Sequence, residues 1–212
     1  MNIGILSTGT HPLICSYLLK LTEYKIKNFI LILDNKKISK KDIKIFTKRT
    51  KNYFNLNYSL PDFLREKKIE FIYVDSHNGK RCLEIIKKRK ISLLVNCGTP
   101  RKIDIKLINS LKHGILNVHP GILPKYRGRT CLEWSIFNNE KVGNSLHLMD
   151  ENYDTGNIIK TESYMFSKTD NYYSIRIKVY EKGINLLVSY LKKIQPLKFK
   201  KIKSVKQNKL IG

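Results

Sequence analysis

The run Ile91-Ser92-Leu93-Leu94-Val95-Asn96, followed at once by Cys97-Gly98-Thr99-Pro100-Arg101, restricts the fold more than any other stretch. A strand this apolar, without polar alternation, is buried on both faces and belongs at the centre of a parallel sheet covered by helices. Glycine and proline then turn the chain away. In open α/β sheets ligands bind where the strands leave their carboxyl ends, so the Cys97–Arg101 loop is a candidate pocket wall. The beginning of the chain agrees. Asn2 to Ser7 reads as a buried strand, Thr8-Gly9-Thr10-His11-Pro12 as a turn, and Leu13 to Leu21 as a helix. That turn is not Gly-x-Gly-x-x-Gly and gives no support to a dinucleotide site. Its backbone N–H groups either meet a substrate phosphate or form a plain strand-to-helix turn.

The same alternation continues. Strands are expected at Asn28 to Leu33, Ile69 to Val74 and Ile115 to His119, with helices at Lys80 to Lys90, Ile103 to Lys112 and Thr130 to Asn138. Lys36 to Lys51 reads as a basic amphipathic helix with a solvated face. Tyr53 to Leu64 is aromatic and irregular and takes no clear assignment. Val142 to Met149 and Ile158 to Phe166 read as strands. Lys168 to Lys193 reads as one long helix that Pro196 ends. The expected fold is a mostly parallel, twisted sheet with helices on both faces and an antiparallel edge after residue 142. Residues 1–195 form the catalytic domain and 196–212 a basic tail.

Four cysteines, Cys15, Cys82, Cys97 and Cys131, form no Cys-x-x-Cys pair and have no histidine cluster beside them. They read as reduced and mostly buried, with no metal. No apolar run approaches the roughly 18 residues of a membrane span, and no secretory leader is evident, so the expectation is a soluble cytoplasmic protein. The net charge of +24 suggests a polyanionic partner. The chain has no alanine and is crowded with Lys, Ile and Asn, a pattern of A/T-rich codons that accounts for much of the lysine excess. The lysines spread along helices and do not cluster with aromatics. Nucleic acid and membrane are therefore disfavoured as partners.

Chemistry concentrates in Asn117-Val118-His119-Pro120-Gly121-Ile122-Leu123-Pro124-Lys125-Tyr126-Arg127-Gly128 and in Met149-Asp150-Glu151-Asn152-Tyr153-Asp154-Thr155-Gly156. Asn117 and His119 share one face of a strand end. Asp154 lies in a turn closed by Gly156. An amide steadies an oxyanion, an imidazole moves a proton, and a carboxylate orients the imidazole. A carboxylate beside His119 is also expected to raise its pKa. No nucleophilic side chain is needed if the substrate brings its own, such as an amine. His147, alternating within its strand, is expected to pack.

The first stretch resembles the active-site motif of the N10-formyltetrahydrofolate-dependent formyltransferases, Asn-x-His-(Pro or Ala)-x-x-Leu-Pro-x-(Tyr or Trp)-(Arg or Lys)-Gly, and the second resembles the Asp turn that follows it. The resemblance covers residues 1–190 in layout and 117–156 in motif. It implies a Rossmann-like formyltransferase fold and Asn117, His119 and Asp154 as catalytic residues. Cys97, Gly98, Thr99, Asp150 and Tyr153 are then expected at the folate donor. Thr10, His11 and Trp134 are expected at the acceptor, although Trp134 fits a core position as well as a ligand wall. N10-formyltetrahydrofolate is the implied co-substrate. The Asp154-Thr155-Gly156 turn differs from the Asp-Gly-Gly of the purine branch. The stretch beyond Pro196 is too short for the C-terminal barrel usual in the methionyl-tRNA branch. His119-Pro120-Gly121, Arg127-Gly128-Arg129 and Glu133-Trp134 look like the sugar N-formyltransferases of lipopolysaccharide pathways. The expected acceptor is the primary amine of a nucleotide-linked amino sugar, with a homodimer left open. Asn157, where proline is common in the family, departs from the pattern. The glycinamide ribonucleotide and methionyl-tRNA branches, and a non-catalytic basic module, are the alternatives.

Overall fold

A computed structural model describes residues 2–55, 59–195 and 202–207 of the chain. Seven strands form one sheet in the order β3-β2-β1-β4-β5-β6-β7. They are β1 (Asn2–Thr8), β2 (Phe29–Asp34), β3 (Phe71–Val74), β4 (Ile91–Asn96), β5 (Ile115–His119), β6 (Val142–Leu148) and β7 (Ile158–Tyr164). The first five run parallel, β6 pairs antiparallel with β5, and β7 antiparallel with β6, which makes the expected antiparallel edge.

The helices are α1 (Ile14–Glu23), α2 (Lys40–Arg49), α3 (Leu60–Glu66), α4 (Lys80–Lys88), α5 (Ile105–Asn109), α6 (Cys131–Phe137) and α7 (Tyr172–Ile194). Both faces of the central strands are covered because successive residues point oppositely. Ile3, Ile5, Leu31, Leu33, Leu93 and Val95 pack with α1, α3 and α7. Leu6, Ile30, Ile32 and Leu94 pack with α4 and α5. The chain order reverses between β1 and β4, so a crevice opens there at the carboxyl ends of the strands. The loops carrying His11 and Gly98 leave the sheet on either side of it.

Three expected helices are shorter than the sequence suggests, among them Lys36 to Lys51, which narrows to α2 behind the Ser39 cap. The expected Ile103 to Lys112 helix shrinks to α5, since Ile103 is sunk in the core and the Asp104 N–H is taken by Asn78 Oδ1 at 3.0 Å. The long helix begins at Tyr172. The Ser167 N–H donates to Asp170 Oδ2, and Asn171 caps α7 reciprocally with Ser174. The unassigned Tyr53 to Leu64 stretch yields α3, begun by the Ser59 cap; residues 56–58 lie outside the described residues.

The expected tail lies only partly within the described residues. Residues 196–201 and 208–212 lie outside the described residues, but 202–207 are bound to the domain. Ile202 is buried in the main core, and Val205 exchanges both backbone hydrogen bonds with Ile158. Its apolar Ile202 and Val205 and the amide of Gln207 make it more than a solvated basic extension. No described helix is long and apolar enough to cross a membrane.

Candidate active site

Three strand ends meet in register. Asn96 of β4 pairs with Asn117 of β5, and Asn117 with His147 of β6. The N–H groups of Gly98 and Thr99 donate to Asn96 Oδ1 at 3.0 and 2.9 Å. Asn96 Nδ2 donates to Asn117 Oδ1 at 3.0 Å, and Asn117 Nδ2 donates to His147 Nε2 at 3.0 Å. His147 Nδ1 lies 3.0 Å from the Leu148 carbonyl, which can only accept, so Nδ1 carries the proton and Nε2 presents a lone pair. The row fixes which way the Asn117 amide points. Its second N–H has no partner among the described residues. A bulge between Leu146 and His147 where β6 pairs with β7 accompanies this placement of the ring. His147 is therefore a member of the site and not only a packing residue.

Asp154 is the second centre. Its Oδ2 lies 3.3 Å from His119 Nδ1, its Oδ1 lies 3.5 Å from His147 Nε2, and Oδ2 accepts the Gly128 N–H at 3.1 Å. The pair His119–Asp154 is thus brought together as the motif implies. The expected rise in the His119 pKa is overturned. The ring is only 4 % exposed, and burial lowers its pKa despite the opposing pull of Asp154 and the Tyr126 carbonyl. Burial pushes the Asp154 carboxyl up. The Gly128 N–H, and His147 and His119 when they carry a proton toward it, outweigh that and hold it low.

His119 Nε2 lies 2.7 Å from the Tyr126 carbonyl and must donate to it. In the neutral ring Nδ1 then turns a lone pair toward an ionised carboxylate. One proton placed between them would join ring and carboxylate by a hydrogen bond. Cys131 Sγ, 3.2 Å from the same Nε2, completes the pocket around the ring. Burial pushes its thiol up to about 11, so it sits there as a neutral thiol.

Two cavities flank Asn117. One, of about 280 Å³, is lined by Thr99, Arg101, His147, Asp150, Tyr153 and Asp154 among others. The other, of about 160 Å³, is lined by His11, Tyr17, Gly98, Pro120, Asn144 and Tyr180 among others. Asn96 and Asn117 line both. Larger hollows of about 570 and 520 Å³ run beside α7 and contain none of these side chains.

The expected folate residues divide between the cavities. Thr99, Asp150 and Tyr153 lie in the first, with Asp150 Oδ1 accepting from Thr155 Oγ1 at 2.6 Å. Gly98 lies in the second. It has φ +97°, and a Cβ there would meet the His11 ring at 2.2 Å. Cys97 lines neither cavity with its side chain. Its side chain is fully buried in the core, its N–H donates to the Leu6 carbonyl, and its own carbonyl accepts from Ser7 Oγ.

Of the expected acceptor residues, His11 lines the second cavity, and burial lowers its pKa to about 4. Thr10 does not, because its hydroxyl accepts the Ile38 N–H at 2.8 Å. Trp134 is neither core nor ligand wall. It is 54 % exposed on α6, edge-on to Phe137.

The sequence reading gave no role to Asn96 or Lys102, and it named Arg101 and Arg129 only as parts of the pocket-wall loop and of the Arg127-Gly128-Arg129 stretch. Arg101 forks onto the buried Asp34 carboxylate through Nε at 2.9 Å and Nη2 at 3.1 Å, which pins the pocket loop to the end of β2. With Lys102 and Arg129 it lines the first cavity, whose wall also holds the carboxylates of Asp150 and Asp154. Among the described residues no cluster of three His, Cys, Asp or Glu side chains could hold a metal.

The fold and site define a doubly wound α/β protein in which an oriented amide, beside the close pair His119–Asp154, stands between two cavities. Comparison with known proteins makes this specific: the chain belongs to the formyl transferase family, whose pattern matches residues 18–191. It is 34 % identical over 97 residues to a methionyl-tRNA formyltransferase of Wolbachia sp. subsp. Drosophila simulans (strain wRi), covering 44 % of this chain and 32 % of that one. It is 32 % identical over 122 residues to the GDP-perosamine N-formyltransferase of Brucella melitensis biotype 1, covering 57 % and 47 %. The chain thus spans 32 % and 47 % of the length of these curated relatives. Among solved structures, phosphoribosylglycinamide formyltransferase from Anaplasma phagocytophilum superposes with a TM-score of 0.69 at 16 % identity, covering 99 % and 97 % of the two chains. The N-formyltransferase from Helicobacter canadensis, in complex with folinic acid and dTDP-3-aminofucose, gives 0.66 at 19 % identity, covering 99 % and 68 %.

Proposed function

We propose that this protein transfers a formyl group from N10-formyltetrahydrofolate to the primary amine of a nucleotide-linked amino sugar, a precursor of a surface polysaccharide. The observation that carries the reading is the place of Asn117. Its oriented amide lines both cavities and keeps one N–H without a partner among the described residues.

The first cavity, with Thr99, Asp150 and Tyr153 and with Lys102 and Arg129 at hand for the donor's carboxylates, suits the folate donor. The second, with His11, suits the acceptor. Folate supplies the formyl group; this chain supplies the rest. Asn117 Nδ2–H donates to the formyl oxygen as negative charge gathers there, a contribution that strengthens only in the transition state. The amine attacks the formyl carbon, Asp154 accepts the proton that the amine sheds with His119 Nδ1 sharing it, and the bond from the formyl carbon to N10 breaks as that proton passes to N10 of the departing tetrahydrofolate. His119 itself lines neither cavity, so it acts through Asp154 and not on the oxygen.

Two named relatives supply probes, GDP-perosamine and dTDP-3-aminofucose. Incubating the protein with the formyl donor and each probe, and reading product mass, tests the proposal. A formylated sugar supports it. Formylation of methionyl-tRNA alone favours the second reading, which rests on the match to the Wolbachia enzyme and on the charge of +24.

A further inference from the structure

The described C-terminal stretch crosses the catalytic turn. Val205 is fixed to Ile158 by hydrogen bonds of 2.7 and 2.8 Å, which sets the residues after it over the end of β6. Two residues on, Gln207 uses both ends of its amide. Oε1 accepts from Arg127 Nε at 3.1 Å and Nη2 at 2.8 Å. Nε2 donates to the Asp154 carbonyl at 3.0 Å and the Gly156 carbonyl at 2.7 Å. One side chain therefore ties the loop that follows His119 to the turn that carries its carboxylate.

That turn needs tying. Asp154 has φ +56°, in the left-handed region that side-chain-bearing residues adopt only when their surroundings impose it. Gly128 N–H holds the carboxylate from one side. Gly156 is pressed so close to the Leu148 carbonyl that a Cβ would lie 1.7 Å from it, which anchors the far end of the turn. Between these two anchors, the carbonyls of residues 154 and 156 take their side-chain donors from Gln207.

We propose that Gln207 is a positioning residue for formyl transfer: it clamps the Asp154 turn so that the carboxylate stays against His119 and in the wall of the first cavity. The proposal rests on Asp154 as the proton acceptor of the reaction above. It assigns residues 202–207 the part of a strap that completes the site.

The test uses the full chain and two variants. Gln207→Glu keeps an acceptor for Arg127 and removes both donors. Gln207→Leu removes donors and acceptor without adding charge, so effects common to both belong to the lost donors. Hydrogen exchange over residues 150–157 is read beside turnover of N10-formyltetrahydrofolate with dTDP-3-aminofucose and GDP-perosamine. Both variants should exchange faster over 154–157 while β4 and α7 keep their protection. Turnover should fall by about tenfold, the scale of one or two hydrogen bonds, with donor affinity little changed. Unchanged exchange and turnover would overturn the clamp. So would exchange that rises equally in β4 and α7, which would make Gln207 a support of the whole fold. If the wild-type protein formylates neither probe, the functional reading is at fault, and the exchange data still decide whether Gln207 holds the turn.

Discussion

At the scale of single residues, the site is a problem of fixed protons. Asn117 can donate to a substrate only if its amide is not flipped, and Asn96 on one side and His147 on the other decide that. Asn96→Asp keeps an acceptor for the Gly98 and Thr99 N–H groups but sets a carboxylate oxygen against Asn117 Oδ1. Turnover should fall at least about tenfold with donor affinity nearly unchanged, since a single preorganised donor is worth roughly 10²–10³ in rate. Steady-state kinetics with the two probe sugars checks it. For the proton-accepting pair, Asp154→Asn should cost about 10²–10⁴, the range of a general base. His119→Asn should cost less, because it acts through Asp154. The double variant should be little slower than Asp154→Asn, because groups acting as a unit are not additive. Losses that multiply would mean the two act independently. Asn117, His119 and Asp154 were legible in the sequence as a spaced motif. Asn96 was not: it is a polar end to an apolar strand, and only the β4–β5–β6 register shows that it touches Asn117. The direction of the His119 shift was also hidden, because a motif shows the carboxylate but not the burial that outweighs it.

At the scale of elements, apolar patterning located every strand and most helices, because alternate residues of β1, β2 and β4 feed separate cores. The ends were less legible. They depend on local hydrogen bonds that compete with the helix, such as the Ser167–Asp170 turn ahead of α7. Asn171 accepts the N–H groups of Tyr173 and Ser174 at 3.0 and 3.1 Å, and the Ser174 hydroxyl accepts the Asn171 N–H at 3.0 Å. Asn171→Ala should therefore destabilise the protein by about 1 kcal/mol. Urea denaturation checks this, and an unchanged midpoint would mean that α7 is held by packing alone. The docking of residues 202–207 had no readable signal, since Lys-rich composition reads as solvated and hid Ile202 and Gln207.

At the scale of the whole molecule, four of the five histidines, His11, His77, His113 and His119, have pKa values lowered first of all by burial. The unfolded chain binds these protons more readily than the folded one. Their contribution to stability is therefore complete above the ordinary histidine pKa of about 6.5 and is lost as pH falls below it. The melting temperature should hold from pH 8 to 7 and decline between pH 6.5 and 4. In that window the depressed carboxylates, Asp34 and Asp154 among them, still favour the folded state and fail only at lower pH. Added positive charge on a chain already at +24 acts in the same direction. A melting temperature flat between pH 7 and 5 would contradict the burial of these rings. The central claim, that an oriented Asn117 amide serves formyl transfer to an amino sugar, is tested most directly by product mass. GDP-perosamine and dTDP-3-aminofucose are incubated with N10-formyltetrahydrofolate and either wild-type protein or Asn117→Ala. The account predicts a formyl group gained on the amine of at least one probe, and a rate roughly 10²–10³ lower in the variant. No formylated sugar from the folded wild-type protein, or a variant as fast as wild type, would contradict it.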